Sequence, residues 1–250
     1  MNAAAQLLLA LAFAFPNEQG THLLVTTEVV KPEMLRIAVC SGNQQATVHF
    51  ERTQSAGRNS TGRQTPRNFA NTAGAVFRIV NGNVNPDSTC VLADDTFLSG
   101  AALVPFARPP QNARCSKADY PPIQTDKNRA VVGCWPIAAS SSGLRINIVE
   151  FSRLLTHALA TLVVIDGERR MYVDYPAEFK GPGDDLWRAD DGGEIHAEGF
   201  EVVFLLKRGS TFFLGVDWAG AEGNALSVHA AEAGSQFKEV VTDSWYRSPM

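Results

Sequence analysis

Leu162-Val163-Val164-Ile165-Asp166-Gly167-Glu168-Arg169-Arg170-Met171-Tyr172-Val173-Asp174-Tyr175 decides the fold class of this chain. An apolar run rich in β-branched residues meets Asp-Gly, and a second run with strand propensity returns from it. Asp-Gly accepts the positive φ angles of a type I′ turn, so the stretch reads as a two-stranded hairpin. With Asp166-Gly167 at the turn, Leu162 faces Met171 and Ala160 faces Val173. Two more hairpins follow. One runs over 200–206, turns through Lys207-Arg208-Gly209-Ser210 and returns over 211–218, and the other joins 225–230 to 237–242 through Ala233-Gly234-Ser235. Residues 202–206 are apolar at every position, which assigns them to a central strand. The chain is therefore expected to be all-β and mainly antiparallel. A meander of hairpins should form a sandwich or a partly closed barrel, with at most one or two short helices.

Toward the N-terminus, strands are read over 22–29, 34–40 (where Leu35, Ile37 and Val39 alternate), 46–50 and 75–80. The only helical hint is 151–160, with Ser152 as a cap, and the same residues could equally open the first hairpin. Residues 51–74 carry Arg52, Arg58, Arg63 and Arg67 against a single acid, Glu51, with no large apolar residue before Phe69. They read as an exposed, solvated loop, or as one that meets an anionic partner. The loop includes a glycosylation sequon, Asn59-Ser60-Thr61, although arginine outnumbers lysine as it does in GC-rich bacterial genomes. No regular internal repeat is present. Ser140-Ser141-Ser142-Gly143 marks the expected boundary between an N-terminal β region, 17–143, and the C-terminal meander, 144–250.

A chain of 250 residues, 45% hydrophobic and 19% charged, can bury a full core. Its net charge of -4 is unevenly spread. Residues 1–130 hold 12 Lys/Arg against 9 Asp/Glu, and residues 131–250 hold 10 against 17. An acidic half is poorly suited to phosphate contacts, so nucleic acid is not an expected partner. Residues 7–15 are uninterrupted by a polar group, the length of a signal-peptide core and too short to span a bilayer. Ala12-Phe13-Ala14 offers small residues for cleavage, so 1–16 reads as a signal peptide, although no Lys or Arg precedes the apolar run. The alternative is a buried N-terminal helix or strand. No other segment is long and apolar enough for a transmembrane helix, and the expected location is secreted or periplasmic.

Four cysteines suit two disulfides in an exported chain. Cys40, Cys90, Cys115 and Cys134 share no C-x-x-C spacing, which argues against structural zinc and thioredoxin chemistry. Of the three pairings we favour Cys115 with Cys134 and Cys40 with Cys90, since the former would pin the Pro-rich segment Tyr120-Pro121-Pro122. Four buried free thiols are the alternative.

The densest polar segment is 181–198. Asp184, Asp185, Asp190, Asp191 and Glu194 on a Gly-rich loop could surround calcium, the one cofactor the chain suggests. The EF-hand template fails, however, because Asp190 and Asp191 are adjacent and Trp187 and Arg188 stand where ligands are needed. The simpler reading is a solvated acidic loop in which Asp and Gly serve as turn residues. Trp187 and Trp218 are the candidate ligand-stacking residues, with covers for the ends of the β core as the competing role. A hydrolase of cell-envelope polysaccharide would take its acid and base from 184–198. Nucleophilic motifs are absent, and His22, His49, His157, His196 and His229 are scattered singly. The expected function is a non-catalytic binding or structural module with a protein or glycan partner, and the polysaccharide hydrolase is the alternative.

Overall fold

A computed structural model of the chain describes residues 11–178, 195–220 and 222–247. They divide into two compact units, one built from residues up to 104 with 201–230 and 239–250, the other from 105–200 with 231–238.

The first unit contains a closed six-stranded antiparallel barrel. Its strands are β1 (Leu11–Pro16), β2 (His22–Val25), β3 (Ile37–Cys40), β4 (Gln44–Gln54), β5 (Gly74–Ile79) and β6 (Cys90–Ala93). Their order is β1-β2-β5-β4-β3-β6, and β6 closes onto β1 with Phe13 opposite Val91. Side chains alternate across a strand, and here both faces are buried. Phe13, Phe15, Leu24, Val39, Val76 and Val91 belong to a cluster that also holds Val203, Phe204 and Leu226. Their neighbours Ala12, Ala14, Leu23, Ala38, Phe77 and Leu92 form a separate cluster, the barrel interior. Small alanines among them suit the narrow bore of six strands. Cys40 and Cys90 stand directly opposite on β3 and β6 and are joined as a disulfide inside this wall.

Residues 11–16, part of the segment read as a leader, thus form a wall strand of the barrel. A strand buried on both faces reads as a continuous apolar run, as a signal-peptide core does. Composition alone does not separate the two.

The outer cluster joins the barrel to a five-stranded sheet of β7 (Ala102–Leu103), β12 (Phe200–Arg208), β13 (Thr211–Ala219), β14 (Gly223–Glu232) and β15 (Lys238–Tyr246), in the order β15-β14-β13-β12-β7. The two C-terminal hairpins lie where the sequence suggested, each strand running past its expected C-terminal end. Residues 202–206 are buried throughout, as expected of a strand with neighbours on both sides.

The second unit is a four-stranded antiparallel sheet of β8 (Val131–Ala139), β9 (Arg145–Phe151), β10 (His157–Asp166) and β11 (Arg169–Glu178), in the order β11-β10-β9-β8. The hairpin quoted first is present, with a register two residues from the expected one. Leu162 pairs with Val173, and Asp166 with Arg169. The turn is Gly167-Glu168, and only Gly167 has positive φ (63°), the pattern of a type II′ rather than a type I′ turn. A shift of two keeps every side chain on its expected face.

Three other expectations change. Ser140-Ser141-Ser142-Gly143 forms the β8–β9 turn inside this unit instead of a boundary, because the Ser140 amide donates to the Leu144 carbonyl and Ser140 Oγ accepts the Leu144 amide, closing the hairpin. Residues 151–160 hold the β9–β10 connection and no helix, since Ala158, Ala160 and their neighbours are recruited into the sheet. The Pro-rich segment is the helix α1 (Tyr120–Lys127), whose prolines sit in its first turn, where a missing N–H has no helical partner to lose. The Cys115–Cys134 disulfide ties its approach to β8, and Ile123 packs with Val149, Phe151, Val163 and Ile165.

Candidate functional site

The connection between β4 and β5, read as a solvated basic loop, is a fixed structure in the first unit. Three residues hold it. Gln54 donates from Nε2 to the carbonyls of Phe69 and Thr72 at 2.7 and 2.6 Å. Asn68, which is buried, donates from Nδ2 to the Arg63 carbonyl at 2.8 Å and to Thr72 Oγ1 at 3.0 Å. Phe69 inserts into the outer core edge-on to Phe15, with ring centroids 5.8 Å apart. The Gly57 amide bonds the Asn71 carbonyl, and a Cβ on Gly57 would lie 2.4 Å from Asn71 Oδ1, so a larger residue there would displace the Asn71 side chain. The loop is also stitched to the end of β15: the Gln64 amide donates to the Tyr246 carbonyl at 3.0 Å, and Gln64 Oε1 accepts the Tyr246 amide at 2.8 Å.

This arrangement walls an open cleft of about 600 Å³, to which Asn59, Thr61, Arg63, Arg67, Asn71 and Arg247 contribute from the loop and the chain end. Its charges are layered. Glu18 and Asp87 are exposed at the rim, where Glu18 lies 3.9 Å from the exposed Arg67. Arg63 and Arg247 are partly buried, and each has a buried Nε with no hydrogen-bond partner. Neither makes an ion pair with a described residue. Both guanidinium groups lie over aromatic rings, Arg247 over Trp245 at 4.6 Å and Arg63 over Tyr246 at 5.9 Å. Burial holds the Arg247 guanidinium below its usual pKa, opposed by the fields of Asp217, Glu201 and Asp87. The lining has no Cys, Ser, His, Lys or Tyr; its hydroxyls are those of Thr61 and Thr65 and its carboxylates those of Glu18 and Asp87.

No family model, curated protein or solved structure matches the chain. The functional reading accordingly rests on the geometry of its own residues.

Of the residues singled out from sequence, Trp187, Asp184, Asp185, Asp190, Asp191 and Glu194 lie outside the described residues. Trp218 is half-buried near the end of β13, away from the cleft lining. Among the described residues no group of three or more His, Cys, Asp or Glu is placed to hold a metal ion. The histidines are dispersed. His22 lies between Thr21 and Glu51, His49 receives Arg36, and buried His229 contacts Ser227 Oγ at 2.8 Å, with burial pushing its pKa down to about 4.

A second polar cluster, in the second unit, is closed on itself. Asp126 accepts from Arg170 Nε and from the Tyr172 hydroxyl, each at 2.6 Å. Lys127 bonds Asp174 at 2.6 Å, and Asp174 also accepts from Thr161. The hydrogen bond from Arg170 lowers the Asp126 pKa, while burial and then the bond to Asp126 raise that of Tyr172. These groups fasten α1 to β11. Residues 59–71 and Arg247 were legible as a basic loop and a terminal arginine, but their convergence across more than 170 positions leaves no local sequence signal.

Proposed function

We propose that the protein is an exported, non-catalytic binding module whose ligand, a glycan or a peptide segment, seats in the cleft of the first unit. The observation that carries this reading is the cleft wall itself. A polar loop of this length is ordinarily mobile, yet here Gln54, Asn68 and Phe69 hold it and aim side chains into open space. Preorganisation of this kind lowers the ordering cost of binding. The lining is mostly amide, guanidinium and hydroxyl groups that donate and accept hydrogen bonds, which favours recognition. Two disulfides support export, since such bonds persist in oxidising compartments. Among the described residues no helix is long and apolar enough to cross a membrane.

The test is a binding screen of the oxidised protein against cell-envelope saccharides and peptides, with amide chemical shifts mapping any hit. Shifts should concentrate at 59–71 and Arg247. Asn68→Ala should weaken binding by tenfold or more, and Trp218→Ala should leave it unchanged. A hit that maps to Trp218, or turnover of any panel member, would refute the proposal.

A further inference from the structure

We propose that the cleft is an oxyanion site in which Arg63 and Arg247 jointly hold a carboxylate, phosphate or sulfate group of the ligand. This rests on the binding reading above and specifies its chemistry. A guanidinium withdrawn from water without a hydrogen-bonded anion is unfavourable, and buried cations are normally paired. Arg170 has Asp126 and Arg145 has Asp119, and Arg208, whose Nε is also buried without a partner, donates instead to the carbonyls of Thr96 and Phe97. Arg63 and Arg247 make no ion pair with a described residue, although each has a buried Nε without a partner. The carboxylates bordering the cleft, Glu18 and Asp87, are at its exposed rim, and Glu18 faces Arg67. Arg63 and Arg247 are thus set back from that rim, with Arg247 in the fields of Asp217, Glu201 and Asp87.

The aromatic rings sharpen the assignment. Trp245 and Tyr246 are adjacent in β15 and carry one guanidinium each. A guanidinium stacked on a ring has its plane oriented and its N–H groups directed outward from its edges, the geometry that grips two oxygens of one anion. Trp245 is itself fixed, buried in the outer core and edge-on to Phe15 at 5.8 Å. Gln64, bonded to both backbone groups of Tyr246, holds the Arg63 side of the loop against the strand that leads to Arg247. Asn59, Thr61 and Asn71 add neutral donors and acceptors for the remainder of a ligand. The fit is to a small molecule or chain end bearing one oxyanion. A uronate would present a carboxylate, and a phosphorylated or sulfated group a tetrahedral anion.

The experiment is isothermal titration of the full oxidised chain with galacturonic acid, inorganic phosphate and inorganic sulfate at constant ionic strength, with galactose as the neutral control. At least one anion should bind saturably at one site, and galactose should not. Preference for galacturonate over phosphate and sulfate identifies a carboxylate ligand, and the reverse order a tetrahedral one. Arg63→Gln and Arg247→Gln should each weaken binding by about tenfold or more, the scale of a charge-assisted hydrogen bond. Arg247→Lys, which keeps the charge and loses the fork, should fall between. Arg67→Gln, at the exposed rim, should change affinity by less than about threefold, the scale of an exposed charge pair. If Arg247→Gln does not fold, Arg63→Gln carries the same comparison. Absence of saturable anion binding, or unchanged affinity in Arg63→Gln, overturns the oxyanion assignment. A neutral ligand mapping to the cleft in that event leaves the binding module standing, whereas failure of every saccharide, peptide and anion to reach the cleft removes both.

Discussion

The two units solve the same problem, fastening a polar connection to a sheet, by opposite means. In the first unit the β4–β5 loop is held by neutral groups, chiefly the amides of Gln54 and Asn68, with Phe69 as its apolar anchor. In the second, α1 is held by charges: Asp126 with Arg170, Lys127 with Asp174, and Asp119 with Arg145. The difference decides what remains for a ligand. Where charges are spent on one another, Arg170 and Arg145 already have their carboxylates. Where neutral groups carry the structure, Arg63 and Arg247 are left directed at an open cleft. A count of charged residues misses this distinction, since both segments are rich in them.

The comparison breaks hardest at the barrel wall. Phe15 is fully buried in β1 and touches both Phe69 of the loop and Trp245 beneath Arg247. Phe15→Ala should cost about 3–5 kcal/mol, as removal of a large core aromatic does. It should loosen the cleft before it affects the second unit. Hydrogen exchange should therefore show lost protection at residues 54–72 with 157–166 unchanged; equal loss in both regions would mean that the units do not respond separately. The same strand gives a direct measure of processing: a chain beginning at residue 17 lacks β1 and should fail to close the barrel, which thermal unfolding would register as loss of one transition.

The next largest effect is a pH dependence confined to the first unit. His229 is buried and neutral, with its pKa held near 4 against an ordinary 6.5. Unfolding releases it to take up a proton, so its neutral form stabilises the fold fully above about pH 6.5. That contribution is lost as pH falls toward 4, by on the order of 3 kcal/mol at the limit. Melting curves between pH 7 and pH 4 should fall more steeply for the native chain than for His229→Gln. Parallel slopes would show that the group titrates normally.

The smallest effect sharpens the contrast. Asp126 is partly exposed, and its pairing with Arg170 is open to solvent screening. Asp126→Asn should lower stability by less than about 1 kcal/mol, with the loss shrinking as salt is raised. The carboxyl pKa is depressed in the fold, so the contribution is present at neutral pH and disappears as pH drops through the carboxylate range. A loss of several kcal/mol would place this cluster among the principal supports of the second unit.

Much of the architecture was legible in the chain because its causes are local. The hairpins at 162–175 and 200–218 announce themselves through apolar runs separated by turn residues, and the alternation of Ile37 and Val39 marks a strand. The Cys115–Cys134 pairing was read from the Pro-rich segment it would pin, and it left Cys40 with Cys90. The turn at Gly167 was misplaced by one position because Asp-Gly and Gly-Glu can each supply the positive φ that a two-residue hairpin needs. The helix α1 was hidden by its prolines, which the first turn accommodates.

What the sequence by itself determined is the class of the protein: antiparallel strands, read from alternation and turn residues within a few positions of one another, and composition, which gave an even number of cysteines and an uneven charge distribution. Tertiary structure alone decided that residues 11–16 complete a barrel, that the exposed 51–74 segment is pinned as a cleft wall, and that Arg63 and Arg247 line one cleft. Strand pairing, burial and charge compensation depend on residues far apart in the chain. A guanidinium acquires its meaning from whether a carboxylate, an aromatic ring or an open cleft lies beside it once the chain is folded.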